Sequence, residues 1–448
     1  MKKKLLSILL VAATATMMLA GCGKKEKEAD ATPENVVEGD ASAEDAFVIW
    51  GWNEDVKPVI ELFKEDHPEF ADRLVFVNTG GTGYYQGKID AILKDPTNEL
   101  YPDVMLLEVD YIKKYVDSDY LQPASALGIT SADMKDMYQY NIDLCTDPSG
   151  VVKAFFWQAT PGCWQLRADL CEKYLGTTDP EKLQKDYFST WEKVIATGEK
   201  LKAATDGKCK ILSGYTDLYR VFSNAREKGW YDANNNLVID AQLEDYIELA
   251  KTLYDKELTY NTAQWSTDWS ANMTGDGVET QAALAYTGCP WFTYWCLKDA
   301  WKSNTILVAG PQQFFWGGTG MAATVECSDM ALATEFIKYA TIDPASMEKI
   351  VYKRCDFVNN KTALEKIVGQ KDFTSEYLYP AAKQDFLNFF LPLADSIDAT
   401  IVTGEDLTID AALDAQLTLY LKGDKTYDAM IADFKAKVHD TYNFINVQ

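Results

Sequence analysis

Apolar and polar positions divide the chain from Phe47 onward into strands and helices in turn. Phe47-Val48-Ile49-Trp50 is an apolar run of strand length, and Val56, Val59, Ile60 and Phe63 then recur at helical spacing up to His67-Pro68. Residues 74–77 predict a second strand, Ile89, Ile92 and Leu93 the inner face of a helix, and residues 103–107 a third strand. This alternation predicts a parallel α/β sheet covered on both faces. Three clusters, Trp52-Asn53-Glu54, Tyr84-Tyr85 and Glu108-Val109-Asp110, fall at equivalent ends of the three strands. Ends of this kind are where such sheets hold ligands, and a shared cleft explains the coincidence.

Further along, residues 151–157 predict a strand that runs into Gln158, and residues 191–202 and 243–253 predict helices. Strands at 306–309 and 321–325 precede helices at 331–340, 407–421 and 427–438. Between these lies the segment richest in rings. An apolar run at 282–285 ends on Thr287-Gly288-Cys289-Pro290, and five of the ten residues from Tyr286 to Trp295 are aromatic, against 12% in the whole chain. Proline disfavours helix in the residue before it, so a chain reversal is expected there, with Trp291 just beyond a strand end. Stacking on a flat ligand and ordinary core packing both fit this segment.

Length changes the picture first: 448 residues exceed what one hydrophobic core serves, so two domains are expected. The net charge is −25, and losing Lys2, Lys3 and Lys4 with a leader takes it to −28. Such a surface repels nucleic acid and anionic lipid headgroups, which sets both aside as partners. The basic start, the apolar run at 5–18 and Leu19-Ala20-Gly21-Cys22 form a secretory leader, and those last four residues resemble the bacterial lipobox. Residues 1–21 are then the signal peptide, with Cys22 lipidated at the mature N-terminus. Residues 23–45 lack large apolar side chains apart from Val36 and Val37 and read as a flexible tether. The eight later cysteines show no spacing of a disulfide framework or zinc site. Asp232 opens a calcium-like run, but Leu237 stands where glycine is needed, so a polar turn is expected. No cofactor and no metal is expected.

Taken in order, several stretches resemble the bacterial extracellular solute-binding proteins of ABC importers, in the branch that includes maltodextrin-binding proteins. They are Val48-Ile49-Trp50-Gly51-Trp52; Pro102-Asp103-Val104-Met105 with Tyr120-Leu121-Gln122-Pro123; residues 282–291; Gly317-Gly318 with the helix at 331–340; and Leu421-Lys422-Gly423 with residues 427–430. One departure is Trp164-Gln165-Leu166-Arg167, which replaces the usual tyrosine-asparagine pair. The resemblance implies a two-lobe α/β fold of the periplasmic-binding-protein type (type II), with three crossovers near Trp157, Phe314 and Phe357 and a cleft between the lobes. It divides the chain into 46–157 plus 314–356 as one lobe and 158–313 plus 357–448 as the other. It also implies a lipid-anchored monomer on the extracellular face of the membrane, with the permease subunits and their ATPase as partners. Asp110, Trp291 and the region of Tyr215 and Tyr219 would face the cleft.

A sugar offers C–H faces and hydroxyl edges, so a site for an oligosaccharide wants aromatic platforms with polar rims. Candidate platforms are Trp52, Trp230, Trp265, Trp291 and Trp316, with Tyr84, Tyr215 and Tyr219 beside them. Candidate hydroxyl partners are Asn53, Glu54, Glu108, Asp110 and Gln158. A non-sugar ligand such as a polyamine, peptide or cofactor is the alternative. With two histidines, His67 and His439, a histidine triad is hard to assemble. An enzyme of the thiaminase kind, on this same fold, would use Cys163 as nucleophile and Glu108 or Asp110 as base. The reading is a binding protein, not an enzyme.

Overall fold

The computed structural model describes residues 33–370 and 373–447; Cys22 and the leader lie outside the described residues. In chain order the strands are β1 (Val36–Glu38), β2 (Phe47–Gly51), β3 (Leu74–Asn78), β4 (Val104–Glu108), β5 (Phe155–Phe156) and β6 (Cys163–Arg167). They continue with β7 (Cys209–Lys210), β8 (Ala282–Ala283), β9 (Ala285–Gly288), β10 (Thr305–Val308) and β11 (Thr319–Ala323).

One sheet has the order β1-β3-β2-β4-β11-β5. Its centre is parallel, as the strand-helix alternation predicts, with Trp50 opposite both Val77 and Met105. Its β2 is buried along its whole length, the pattern of a strand covered on both faces. The flanks are antiparallel, because β11 returns from the far half of the chain to pair with β4 and β5. Asp103 ties this return down, accepting from the Val48 N–H at 2.7 Å and the Ser328 N–H at 2.6 Å. The strand expected at 151–157 shortens to Phe155–Phe156, since Val152 bridges back to Thr146.

A smaller antiparallel sheet, β10-β6-β9, and the parallel pair β7-β8 organise the other half. Helices Trp191–Thr205, Ala241–Asp255, Asp406–Leu421 and Tyr427–Thr441 bury apolar faces there. The expected reversal at 287–290 does not form. Thr287 and Gly288 extend β9 against Trp164 and Cys163, and Pro290 opens a helix, where its missing N–H costs nothing. Trp291 therefore stands in the first turn of that helix.

Each half has its own apolar core, so the molecule is two-lobed. The chain crosses from β5 to β6 and returns from β10 to β11, and these passages lie side by side. Gly162 N–H donates to Phe314 at 2.8 Å, and a Cβ on Gly162 would collide with the Phe314 ring. Beside them, Ala159 N–H donates to Phe357 at 2.9 Å and Asn359 N–H to Trp157 at 2.8 Å. The expected handover of everything after 357 to the second lobe needs correction. Phe357, Leu364, Phe386, Phe390 and Ala399 join the first core; Tyr379 and Ala382 pack against the second, whose buried members resume at Ile409. The intervening stretch hydrogen-bonds along β10, with Thr305 N–H donating to Tyr377 at 3.1 Å and Tyr379 N–H to Thr305 at 2.8 Å.

At the opposite edge, β1 adds antiparallel to β3, Val37 facing Val77. Lys88 secures it, donating to the Pro33 carbonyl at 2.6 Å and to Asn35 Oδ1 at 2.7 Å. The tether expected over 23–45 thus includes an ordered strand. Among the described residues no helix is long and apolar enough to cross a membrane.

Candidate functional site

Three groups of side chains stand out: an indole cluster on the second core beside the returning passage, an ionic group that joins the lobes, and a knot that binds the crossing segments together. The first is a cluster of indoles. Trp291, at the start of its helix, donates its Nε1–H to the carbonyl of Trp316 on the returning passage at 2.9 Å. Their rings are 4.9 Å apart at 69°, and Trp265 lies near both, at 5.8 Å from Trp316 and 6.4 Å from Trp291. Trp265 and Trp291 are close to parallel, 18° apart. Trp265 is 53% exposed and sits at φ 69°, a left-handed conformation that is costly for a bulky aromatic residue. Backbone strain of this kind persists only where the surroundings enforce it. Here Ser266 caps the helix Thr267–Thr274, and Trp269 packs against Trp265 at 5.1 Å.

Behind the indoles stands Asp217. It accepts from Trp269 Nε1 at 2.7 Å and from the Gly214 N–H at 3.1 Å, and burial pushes its carboxyl up to about 7. The folded chain favours the neutral acid relative to an unfolded value of 3.8. The stabilising contribution is therefore full below about pH 4 and is lost as pH rises through about 7. Asp217→Asn is expected to flatten the fall in melting temperature over this window, where one group contributes a slope approaching ~1.4 kcal/mol per pH unit. Melting curves of the two proteins that run parallel from pH 5 to pH 8 would refute this.

The second group is ionic. Glu108 and Asp110 follow β4, and Glu108 Oε2 accepts the Asp110 N–H at 2.7 Å. Arg220, from helix Tyr219–Ser223 of the second lobe, pairs through Nη2 with Asp110 and through Nη1 with Asp410 at 3.2 Å. Burial raises the Glu108 carboxyl well above its ordinary range, with the Asp110 charge adding to it. Burial also raises Asp110, and Arg220 opposes that shift. Burial works against the Arg220 charge, but Asp110 and Asp410 outweigh it.

The third group is a knot. Arg354, 7% exposed, pairs with Asp55 and Asp356 and donates to the Tyr294 hydroxyl at 2.6 Å. That hydroxyl donates to Asp356 at 2.9 Å, and Gln158 Nε2 donates to Asp356 at 2.8 Å and to Tyr294 at 2.9 Å.

Of the residues expected in the site, Trp265, Trp291 and Trp316 come together, and Glu108, Asp110 and Tyr219 surround Arg220. Trp52 is buried against Tyr85 and Tyr111 at 5.6 and 6.1 Å. Asn53 is used by its own loop, accepting the Asp55 N–H at 2.9 Å. Glu54 is exposed and 3.6 Å from Lys57, and Tyr84 is exposed on helix Thr82–Ile92. Gln158 belongs to the knot. Tyr215 turns inward to Thr418 at 3.0 Å.

Trp230 is not a platform. It is fully buried in the second core, its ring 5.5 Å from that of Phe434 at 56°, and its Nε1–H fixes Asp410 at 2.9 Å. Cys163 is no nucleophile either, since it is fully buried on β6 and burial raises its thiol well above the ordinary range. Asp232 accepts the Asn234 and Asn236 N–H groups, forming the polar turn expected of it.

Arg220, Arg354, Asp356, Asp410 and Tyr294 went unmarked in the sequence. A composition signal was present: only five of the 43 cations are arginine, Arg73, Arg167, Arg220, Arg226 and Arg354. Every one of them makes an ion pair.

The family described as bacterial extracellular solute-binding protein matches residues 59–372. A search of curated proteins returned no match. Among solved structures, the chain is similar to an ABC transporter-associated binding protein of B. animalis subsp. lactis Bl-04, solved with β-1,6-galactobiose. The TM-score is 0.69 at 14% identity, over 90% of this chain and 99% of that one. A galacto-N-biose/lacto-N-biose I-binding protein of Bifidobacterium longum gives 0.69 at 14%, over 91% and 100%. The GacH receptor of Streptomyces glaucescens, solved unliganded and with acarbose, gives 0.65 at 15%, over 89% and 98%. At these identities the likeness is one of fold.

Proposed function

The chain belongs to the bacterial extracellular solute-binding proteins, and we propose that it is the lipid-anchored receptor of an ABC importer, capturing an uncharged oligosaccharide between its lobes. The observation that carries this is the indole assembly. Trp265 and Trp291 present nearly parallel faces, and Trp316 closes the angle between them. Such surfaces suit the C–H faces of sugar rings, and indoles bury much area at low entropic cost. The Asp110 carboxylate, oriented by Arg220, supplies a hydroxyl acceptor on the opposite lobe.

The adjacent crossing segments serve as the hinge, with closure driven by ligand contacts to both lobes. Cys22 supplies the anchor, and the loaded closed form is what the permease pair would receive. The relatives' ligands, β-1,6-galactobiose, lacto-N-biose and acarbose, point the same way.

The experiment is a calorimetric and tryptophan-fluorescence titration of the mature protein against a glycan panel, with thiamine and spermidine alongside. One or more di- to tetrasaccharides should bind unchanged, with micromolar or tighter dissociation constants. A protein that takes none of the glycans but binds spermidine, or one that releases a product from thiamine, would sink the reading.

A further inference from the structure

Three carboxylates converge between the lobes, and the cation among them belongs to the protein itself. Asp110 comes from the first lobe, just beyond β4. Asp410 comes from helix Asp406–Leu421 of the second, with one oxygen fixed by Trp230 Nε1 at 2.9 Å and the other 3.2 Å from Arg220 Nη1. Glu108 adjoins through its hydrogen bond to the Asp110 N–H. Beside them, Tyr111 donates its N–H to the Glu108 carbonyl at 3.1 Å, while its buried hydroxyl has no hydrogen-bond partner among the described residues. This is a polar seat lined by acids from both lobes.

We propose that Arg220 is a specificity-determining residue: its guanidinium occupies this seat as a built-in cation, which reserves the cleft for uncharged solutes and turns organic ammonium ions away. The inference rests on capture between the lobes. A guanidinium and an alkylammonium carry the same charge and offer the same kind of donors to a carboxylate. A cationic solute would compete with Arg220 for Asp110 and Asp410, and a tethered group competes at high effective concentration. Without a cation between them, the two carboxylates would meet as like charges whenever the lobes closed.

The test titrates spermidine and putrescine, together with the best glycan of the panel, into the wild type, Arg220→Ala and Arg220→Lys. The wild type and Arg220→Lys should take up no polyamine. Arg220→Ala should gain spermidine binding by at least 100-fold, and adding Asp110→Asn should abolish the gain. A folded Arg220→Ala protein that still ignores both polyamines overturns the proposal, whether or not the wild type binds a sugar. Conversely, a wild type that binds no sugar beside a variant that gains spermidine refutes the sugar and leaves Arg220 its role. Should Arg220→Ala fail to fold alone, millimolar ethylguanidinium or spermidine should restore a cooperative melt. A chain left unfolded by both also overturns the proposal.

Discussion

Replacing Trp291 with alanine should weaken glycan binding by roughly 30- to 1000-fold, equivalent to ~2–4 kcal/mol, while the protein stays folded. Trp291 is the shared member of the indole cluster, touching Trp316 at 4.9 Å, Phe292 at 5.8 Å and Trp265 at 6.4 Å. It is only half-buried, so its removal opens a gap at a surface rather than a sealed cavity in a core. Trp265 would lose its parallel partner, and the Trp316 carbonyl its donor. Trp291→Phe keeps a flat face without the N–H and should lose about tenfold. Titration of the three proteins, with melting temperatures as the control on folding, decides the matter. Unchanged affinity in a folded Trp291→Ala protein would remove the indoles from the site.

Arg354→Met should cost about 3–5 kcal/mol of stability, the largest effect expected of any single charge here. The side chain is nearly sealed, and it balances Asp55 and Asp356 at once. Burial already raises the Asp55 carboxyl despite the neighbouring guanidinium. Without Arg354, two acids stay inside with only neutral donors at Asp356, from Gln158, Tyr294 and the Phe357 N–H. Urea unfolding measures the loss. Pairing the change with Asp55→Leu should recover part of it, because removing both ends of a buried pair is cheaper than removing one. A loss below 1 kcal/mol, or strict additivity of the two substitutions, would contradict this account.

The contrast between these two residues shows what the sequence made legible. Trp291 stood out because a run of rings after an apolar stretch is a local signal, and β2, β3 and β4 were readable for the same reason. The local rule failed at 287–290, where pairing with Cys163 and Trp164 over a long sequence separation outweighed turn propensity. Arg354 and Arg220 could not be placed at all, because Asp55 and Asp110, the partners that fix them across the fold, lie 299 and 110 residues away. Trp230 was misread for a related reason: an indole reads alike in sequence whether it stacks on a ligand or pins an aspartate inside a core. Spacing carries secondary structure, whereas charge complementarity over such separations leaves no periodic trace.

The strand stapled to the edge of the first sheet has a mechanical consequence. With β1 bonded to β3 and Lys88 gripping the backbone at Pro33, any pull applied upstream is borne by the first lobe alone. A leash fixed in a membrane would hold that lobe as the stator, leaving the half that carries Arg220 and Trp291 to swing.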